Sequence, residues 1–254
     1  MRHSLAVILL LTLTACSSTP TNDELSKKSA EEMYNDAKSA LLDENYESAI
    51  KKFESLQSRF PYGRFAQQGQ LEIAYAYYKQ NEVESAIAAA DRFIKQYPNS
   101  PTVEYAYYLK GLAMFHGETG LFGLQGDPTE RDPKAAQDSF AAFKDLVVRF
   151  PDSKYAADSR VRMQYLINAL AKYAIHVADY YQRRGAHIAA VNRAKEVLTL
   201  YPTSLSTRDA LKVLVTSYSA MDMTTLSNDA QRVLDLNTPA VAAVSLGTNY
   251  EQAP

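Results

Sequence analysis

The sequence predicts an all-α fold, a tetratricopeptide-repeat solenoid of five helix–turn–helix units with about ten helices. Three observations carry that prediction. Only 9 Gly and 10 Pro are spread over 254 residues, too few for a turn-rich β sandwich or barrel. Aromatic–proline pairs recur at Phe60-Pro61, Tyr97-Pro98, Phe150-Pro151 and Tyr201-Pro202, with Pro239 a fifth mark, so the prolines stand 37, 53, 51 and 37 residues apart. Small residues keep step with them. Twelve positions before the prolines stand Ala49, Ala86, Ser139, Ala190 and Ser227. Twenty-four before stand Ala37, Ala74 and Ala178, with Val215 in the last unit and Asp127 breaking the rule in the third. Paired helices that touch at small side chains bring their axes close, and proline follows the second helix because it cannot continue one.

Met1-Arg2-His3 is a short basic start, and Leu5 to Leu13 is an apolar run broken only by Thr12. That run is about half the roughly 20 residues a spanning helix needs, so residues 1–15 read as a secretory signal. Leu13-Thr14-Ala15-Cys16 resembles the bacterial lipobox, in which the chain is cut before the cysteine and the thiol is lipidated. Ser17 follows, not the aspartate that commonly retains lipoproteins at the inner membrane. The resemblance implies a chain lipid-anchored through Cys16 to the inner leaflet of a Gram-negative outer membrane, facing the periplasm. Three fatty chains, at about 0.8 kcal/mol per buried methylene, would hold it firmly.

Residues 16–29 are polar and without period, a flexible tether. Residues 30–100 hold repeats one and two, and 101–152 repeat three. In that third unit Gly111 takes the close-contact role sixteen positions early, which places an insertion in the glycine-rich stretch 117–132. Repeat four, 153–203, has a surplus before Ala178 and no Gly or Pro between Ser153 and Arg184, so its first helix is expected to reach about 30 residues, roughly 21 Å longer than usual. Repeat five covers 204–237, with Tyr218 where units two and four have Tyr77 and Tyr181. Residues 238–254 lose the period and read as a flexible tail.

Composition excludes several functions. A net charge of −2 supplies no basic footprint for nucleic acid. A single cysteine forms no internal disulfide. Phosphate-loop, nucleophile-elbow and zinc-protease motifs are missing, and Gly117, Gly120 and Gly123 lack dinucleotide spacing. His176 and His187 are eleven apart, about 16 Å along a helix, too far to share a metal, and His116 stands alone. Adjacent carboxylates at Glu31-Glu32 and Asp43-Glu44 suit a helix start and an interhelical turn. No enzyme, metal or cofactor is expected.

The first helix of each repeat lines the concave groove of such arrays. Transfer by offset gives Tyr34, Lys38 and Leu41 in unit one, then Gln68, Leu71, Tyr75, Tyr78 and Lys79 in unit two. Unit three gives Tyr105, Tyr108, Leu112, Phe115 and His116. Tyrosines offer wide amphipathic surface at low entropic cost, and the lysines could attract a carboxylate terminus. Tyr75, Tyr77 and Tyr78 cannot all face one way, so at least one of them belongs to the core.

Across nearly all of the mature chain the sequence resembles the BamD (ComL) family, lipoproteins of the outer-membrane β-barrel assembly (BAM) machinery. The resemblance lies in Arg59-Phe60-Pro61-Tyr62-Gly63, Gln67-Gln68, Ala74-Tyr75-Ala76-Tyr77-Tyr78-Lys79 and Asp91-Arg92-Phe93-Ile94. It continues in Arg131-Asp132-Pro133, Leu170-Ala171-Lys172-Tyr173, Arg184-Gly185-Ala186, Val191-Asn192-Arg193 and Thr207-Arg208-Asp209-Ala210-Leu211. It implies a non-enzymatic scaffold whose N-terminal repeats receive the C-terminal, aromatic-ended segment of unfolded outer-membrane proteins. The C-terminal repeats would dock the periplasmic domains of BamA, beside other BAM lipoproteins. Arg193 matches the family's docking arginine, with Arg184 a second candidate; Phe60 stands where relatives carry a client-binding tyrosine, and Tyr62 is its neighbour. Two other classes compete: a tetratricopeptide lipoprotein acting as partner scaffold in envelope or division control, and a periplasmic hydrolase, against which the missing nucleophile–base set weighs.

Overall fold

The structure is a computed structural model that describes residues 28–119 and 133–237. The expected signal, Cys16, the tether as far as residue 27, most of the insertion and the tail lie outside those residues. Ten α-helices and no strand occur among the described residues, so the fold is all-α. In chain order they are α1 (Ala30–Leu42), α2 (Tyr46–Arg59), α3 (Arg64–Lys79), α4 (Val83–Gln96), α5 (Val103–Thr119), α6 (Pro133–Arg149), α7 (Ala156–Arg183), α8 (His187–Leu200), α9 (Thr207–Ala220) and α10 (Thr224–Leu236). Helix α7 is 28 residues long. The chain divides within α3 into two compact units, one ending at Ile73 and one beginning at Ala74.

In the first unit α1 starts on a reciprocal cap. The Ser29 hydroxyl accepts from the Glu32 amide at 3.2 Å while the Glu32 carboxylate accepts from the Ser29 amide at 2.7 Å. That amide bond, followed by the hydroxyl contact, holds the Glu32 carboxyl below its usual pKa. Ala37 and Ala49 are fully buried, as the repeat rule requires, beside Phe53 and Leu56. At Gly69 of α3 an added Cβ would lie 3.1 Å from the Phe53 ring, so α3 passes close over α2 there.

In the second unit each helix from α4 to α10 packs on the next, and α7 packs on α9 as well. Ala74, Ala86, Ser139, Ala178 and Ala190 are all fully buried. Gly111 has the close approach expected of it: a Cβ there would lie 2.6 Å from the Phe143 ring.

Two kinds of joint recur. Inside the hairpins one residue takes a left-handed backbone: Glu44 (φ 57°), Asn81 (φ 62°), Gly185 (φ 73°) and Asp222 (φ 57°). The next amide then reaches back five residues, Asn45 to the Ala40 carbonyl, Glu82 to Tyr77, Ala186 to Tyr181 and Met223 to Tyr218, each at 2.9 Å. These are Schellman-type ends that satisfy otherwise orphaned carbonyls. The expected equivalence of Tyr77, Tyr181 and Tyr218 is therefore a backbone equivalence. Between hairpins the aromatic residue before proline ends the helix. The amides of Phe60, Tyr97, Phe150 and Tyr201 donate to the carbonyls of Leu56, Phe93, Leu146 and Val197 at 2.8–2.9 Å, and proline then blocks continuation. Those four acceptors are also fully buried side chains, each stabilising its joint by about 1.5–3 kcal/mol. At three joints a serine follows, Ser100, Ser153 and Ser204, whose amides close a turn on the aromatic carbonyl at 3.0–3.1 Å.

Candidate functional site

In the first unit Tyr34 and Lys38, one turn apart on α1, converge on Glu72 of α3. The Lys38 ammonium donates to Glu72 Oε1 at 2.6 Å and the Tyr34 hydroxyl to the same oxygen at 3.3 Å. Tyr34 also packs against Phe53 and Phe65, with centroids 5.6 and 5.5 Å away. Burial, then the Glu72 charge, push the Tyr34 phenol up to about 12. Lys38, read from the sequence as a rim lysine that could attract a carboxylate terminus, is ion-paired with Glu72. Leu41 and Leu71 are buried and belong to the core. Gln68 is exposed. Phe60 is the half-buried end residue of α2 under the Arg59 guanidinium at 5.3 Å, and Tyr62, 90% exposed, projects from the turn that follows.

The second unit brings the tyrosines of α5 onto the start of α7. Tyr155, just before α7, stacks on Tyr108 at 4.6 Å and 16° and lies 5.4 Å from Tyr105. The Tyr108 hydroxyl donates to Asp158 Oδ2 at 2.7 Å, and Arg162 Nε donates to the same oxygen at 2.6 Å. The guanidinium lies 5.0 Å over the Phe115 ring. Tyr78 meets His116 edge-on at 6.1 Å. Burial, and then the bond to Asp158, raise the Tyr108 phenol far above its ordinary range; burial likewise raises Tyr78. Burial opposes the Arg162 charge, yet the hydrogen bond and charge of Asp158 outweigh it and hold the guanidinium protonated. Tyr75 is half-buried and Lys79 exposed at the end of α3. Leu112 and Phe115 are half-buried against the core around Phe143 and Leu166.

Sequence reasoning missed Tyr155, Asp158 and Arg162. The i,i+4 spacing of Asp158 and Arg162 was the available signal, but the offset transfer stopped at the third unit.

The two candidate docking arginines belong to the α7–α8 hairpin, Arg184 at its turn and Arg193 within α8. Arg184 ends α7 with its guanidinium 4.9 Å over the Tyr180 ring. Tyr180 meets Tyr181 edge-on at 5.7 Å. Tyr181 in turn lines a shallow depression of about 260 Å³ with Ala189, Asn192, Arg193 and Glu196. Arg193 Nη1 donates to Glu196 Oε2 at 2.9 Å with the arginine side chain 44% exposed. The patch is an exposed surface of cations and tyrosine edges with one carboxylate. His176 is exposed and His187 opens α8. Among the described residues no group of His, Cys, Asp or Glu could hold a metal ion, and no helix is long and apolar enough to cross a membrane.

A family model described as outer membrane lipoprotein matches residues 26–234, which takes in all ten helices apart from the last two residues of α10. The chain belongs to the BamD family. Its similarity to curated relatives runs nearly end to end. The outer membrane protein assembly factor BamD of Neisseria meningitidis serogroup B is 42% identical over 241 residues, 92% of this chain and 90% of the relative. The protein of the same name from Vibrio cholerae is 34% identical over 91% of this chain and 96% of its own. That of Haemophilus influenzae is 31% identical over 92% and 90%. The two aromatic clasps and the arginine patch therefore all lie within the region shared with BamD relatives.

Proposed function

We propose that this chain is a non-enzymatic scaffold of outer-membrane β-barrel protein assembly, anchored through lipid on Cys16 and facing the periplasm. Its tyrosine-lined helices receive the C-terminal segment of unfolded outer-membrane proteins, and the patch of Arg184 and Arg193 docks the periplasmic domains of BamA. The supporting observation is the similarity, over about nine-tenths of the chain, to relatives named as outer membrane protein assembly factors. The side chains suit both tasks. Half-buried tyrosines with polar tips grip an extended peptide at low ordering cost, and exposed arginines, of which Arg184 here lies over a tyrosine ring, are common anchors of protein interfaces.

The test is recovery of BamA with the lipidated chain from detergent-solubilised outer membranes. Arg193→Glu should reduce that recovery at least about tenfold with helix content unchanged, because the reversed charge turns attraction into repulsion and adds to that of Glu196. Full recovery would remove the arginine patch from the interface. Recovery of a division complex in place of BamA would favour the partner-scaffold class.

A further inference from the structure

We propose that Asp158 is an internal competitor in a carboxylate subsite built by Arg162 and Tyr108, standing in for the terminal carboxylate of a peptide that ends in an aromatic residue. The proposal rests on the peptide-binding reading above and names the group that would recognise the peptide end. Two donors from different helices converge on one carboxylate oxygen: the Tyr108 hydroxyl of α5 at 2.7 Å and Arg162 Nε of α7 at 2.6 Å. Arginine offers five donors in a planar fork, and here the Nε edge is used well. Nη2 reaches Asp158 Oδ1 only at 3.5 Å. Asp158 therefore uses one arm of the fork well and the other weakly.

An ordinary helix-surface ion pair does not look like this. The i,i+4 pairs Glu47–Lys51 and Asp145–Arg149 are solvated, with side chains 44–74% exposed. Arg162 is only 23% exposed, whereas Asp158 keeps 36% of its side chain in contact with water. Apolar faces complete the subsite. Phe115 lies under the guanidinium, and the stacked pair of Tyr108 and Tyr155 stands beside the carboxylate, suited to an aromatic side chain next to the chain end. Tyr34 and Lys38 clasp Glu72 in the same way in the first unit, which makes a tyrosine and a cation around a carboxylate a repeated device here. A bound peptide end would take the Arg162 fork and release Asp158 to solvent. The resident carboxylate thereby keeps affinity low enough for peptides to leave.

Fluorescence anisotropy on the folded chain tests this with three labelled synthetic peptides: one ending in Phe as the free acid, its C-terminal amide, and an amidated peptide with an internal Asp-Phe pair. Asp158→Asn should tighten the free acid about tenfold, the worth of a charge-assisted hydrogen bond, and leave the plain amide unchanged. Arg162→Met, which keeps the stem over Phe115, should cancel the gain when added to Asp158→Asn. Circular dichroism confirms that both variants fold. Free-acid binding that is unchanged or weaker in Asp158→Asn overturns the proposal, as does an equal gain for the plain amide. A gain for the internal Asp-Phe peptide alone overturns the terminal-carboxylate assignment. Binding of acid and amide alike, in every variant, removes the subsite but leaves peptide binding standing; no binding of any peptide removes both.

Discussion

Single positions in this chain are constrained by distance more than by chemistry. Gly111 has an unoccupied Cβ direction that ends 2.6 Å from a fully buried phenylalanine ring. Gly111→Ala gains up to about 1 kcal/mol of helix propensity, but the clash should dominate. We expect a net loss of about 1–3 kcal/mol in urea unfolding, partly relieved by Phe143→Leu in the same chain. Tyr34 makes a different prediction. Its folded-state pKa of about 12 exceeds the unfolded value of 10.0, so the unfolded chain loses this proton first. Stability from this group is complete below pH 10 and is lost as pH rises towards 12. The fall in Tm between about pH 9.5 and about pH 11.5 should be smaller in Tyr34→Phe than in the parent chain; an identical fall would show that the phenol is not buried against Glu72.

At the scale of the element, the joints decide the fold. Of the four hairpin turns among the described residues, three place a residue with a side chain in left-handed backbone and one uses glycine. Gly185→Ala should therefore cost about 1 kcal/mol, and Glu44→Gly should be neutral or stabilise by up to about 1 kcal/mol. Parallel urea titrations of the two variants measure both. The joints between hairpins were legible from composition alone, since an aromatic residue before proline announces a helix end whatever surrounds it. The small residues were equally legible, because close helix contact leaves few choices of side chain. What surrounds the Asp158 carboxylate was not. An acid and a base four apart on a helix are ordinary on any solvated face, and only the packing of α5 against the start of α7 makes this pair exceptional. The resident partner of Lys38 was not legible for a related reason: Glu72 lies 34 residues away on another helix, a separation no local pattern records.

For the whole molecule, location follows from lipid and company from charge. We expect Cys16→Ala to leave a folded chain in the soluble fraction after cell lysis, since at near-neutral charge it has little electrostatic attraction of its own to an anionic leaflet. Complete retention with outer membranes in that variant would mean that protein contacts, not acyl chains, hold it there.

The long helix α7 also sets how the C-terminal unit comes apart. Arrays of repeats whose members touch only their neighbours can peel from an end one hairpin at a time. Because α7 rests on α6, α8 and α9 together, the last hairpins share a common keel and cannot be shed without disturbing it. Melting there should be closer to all-or-none than to fraying, so a partner that grips the α7–α8 turn would hold a stiff body and not a loose tail.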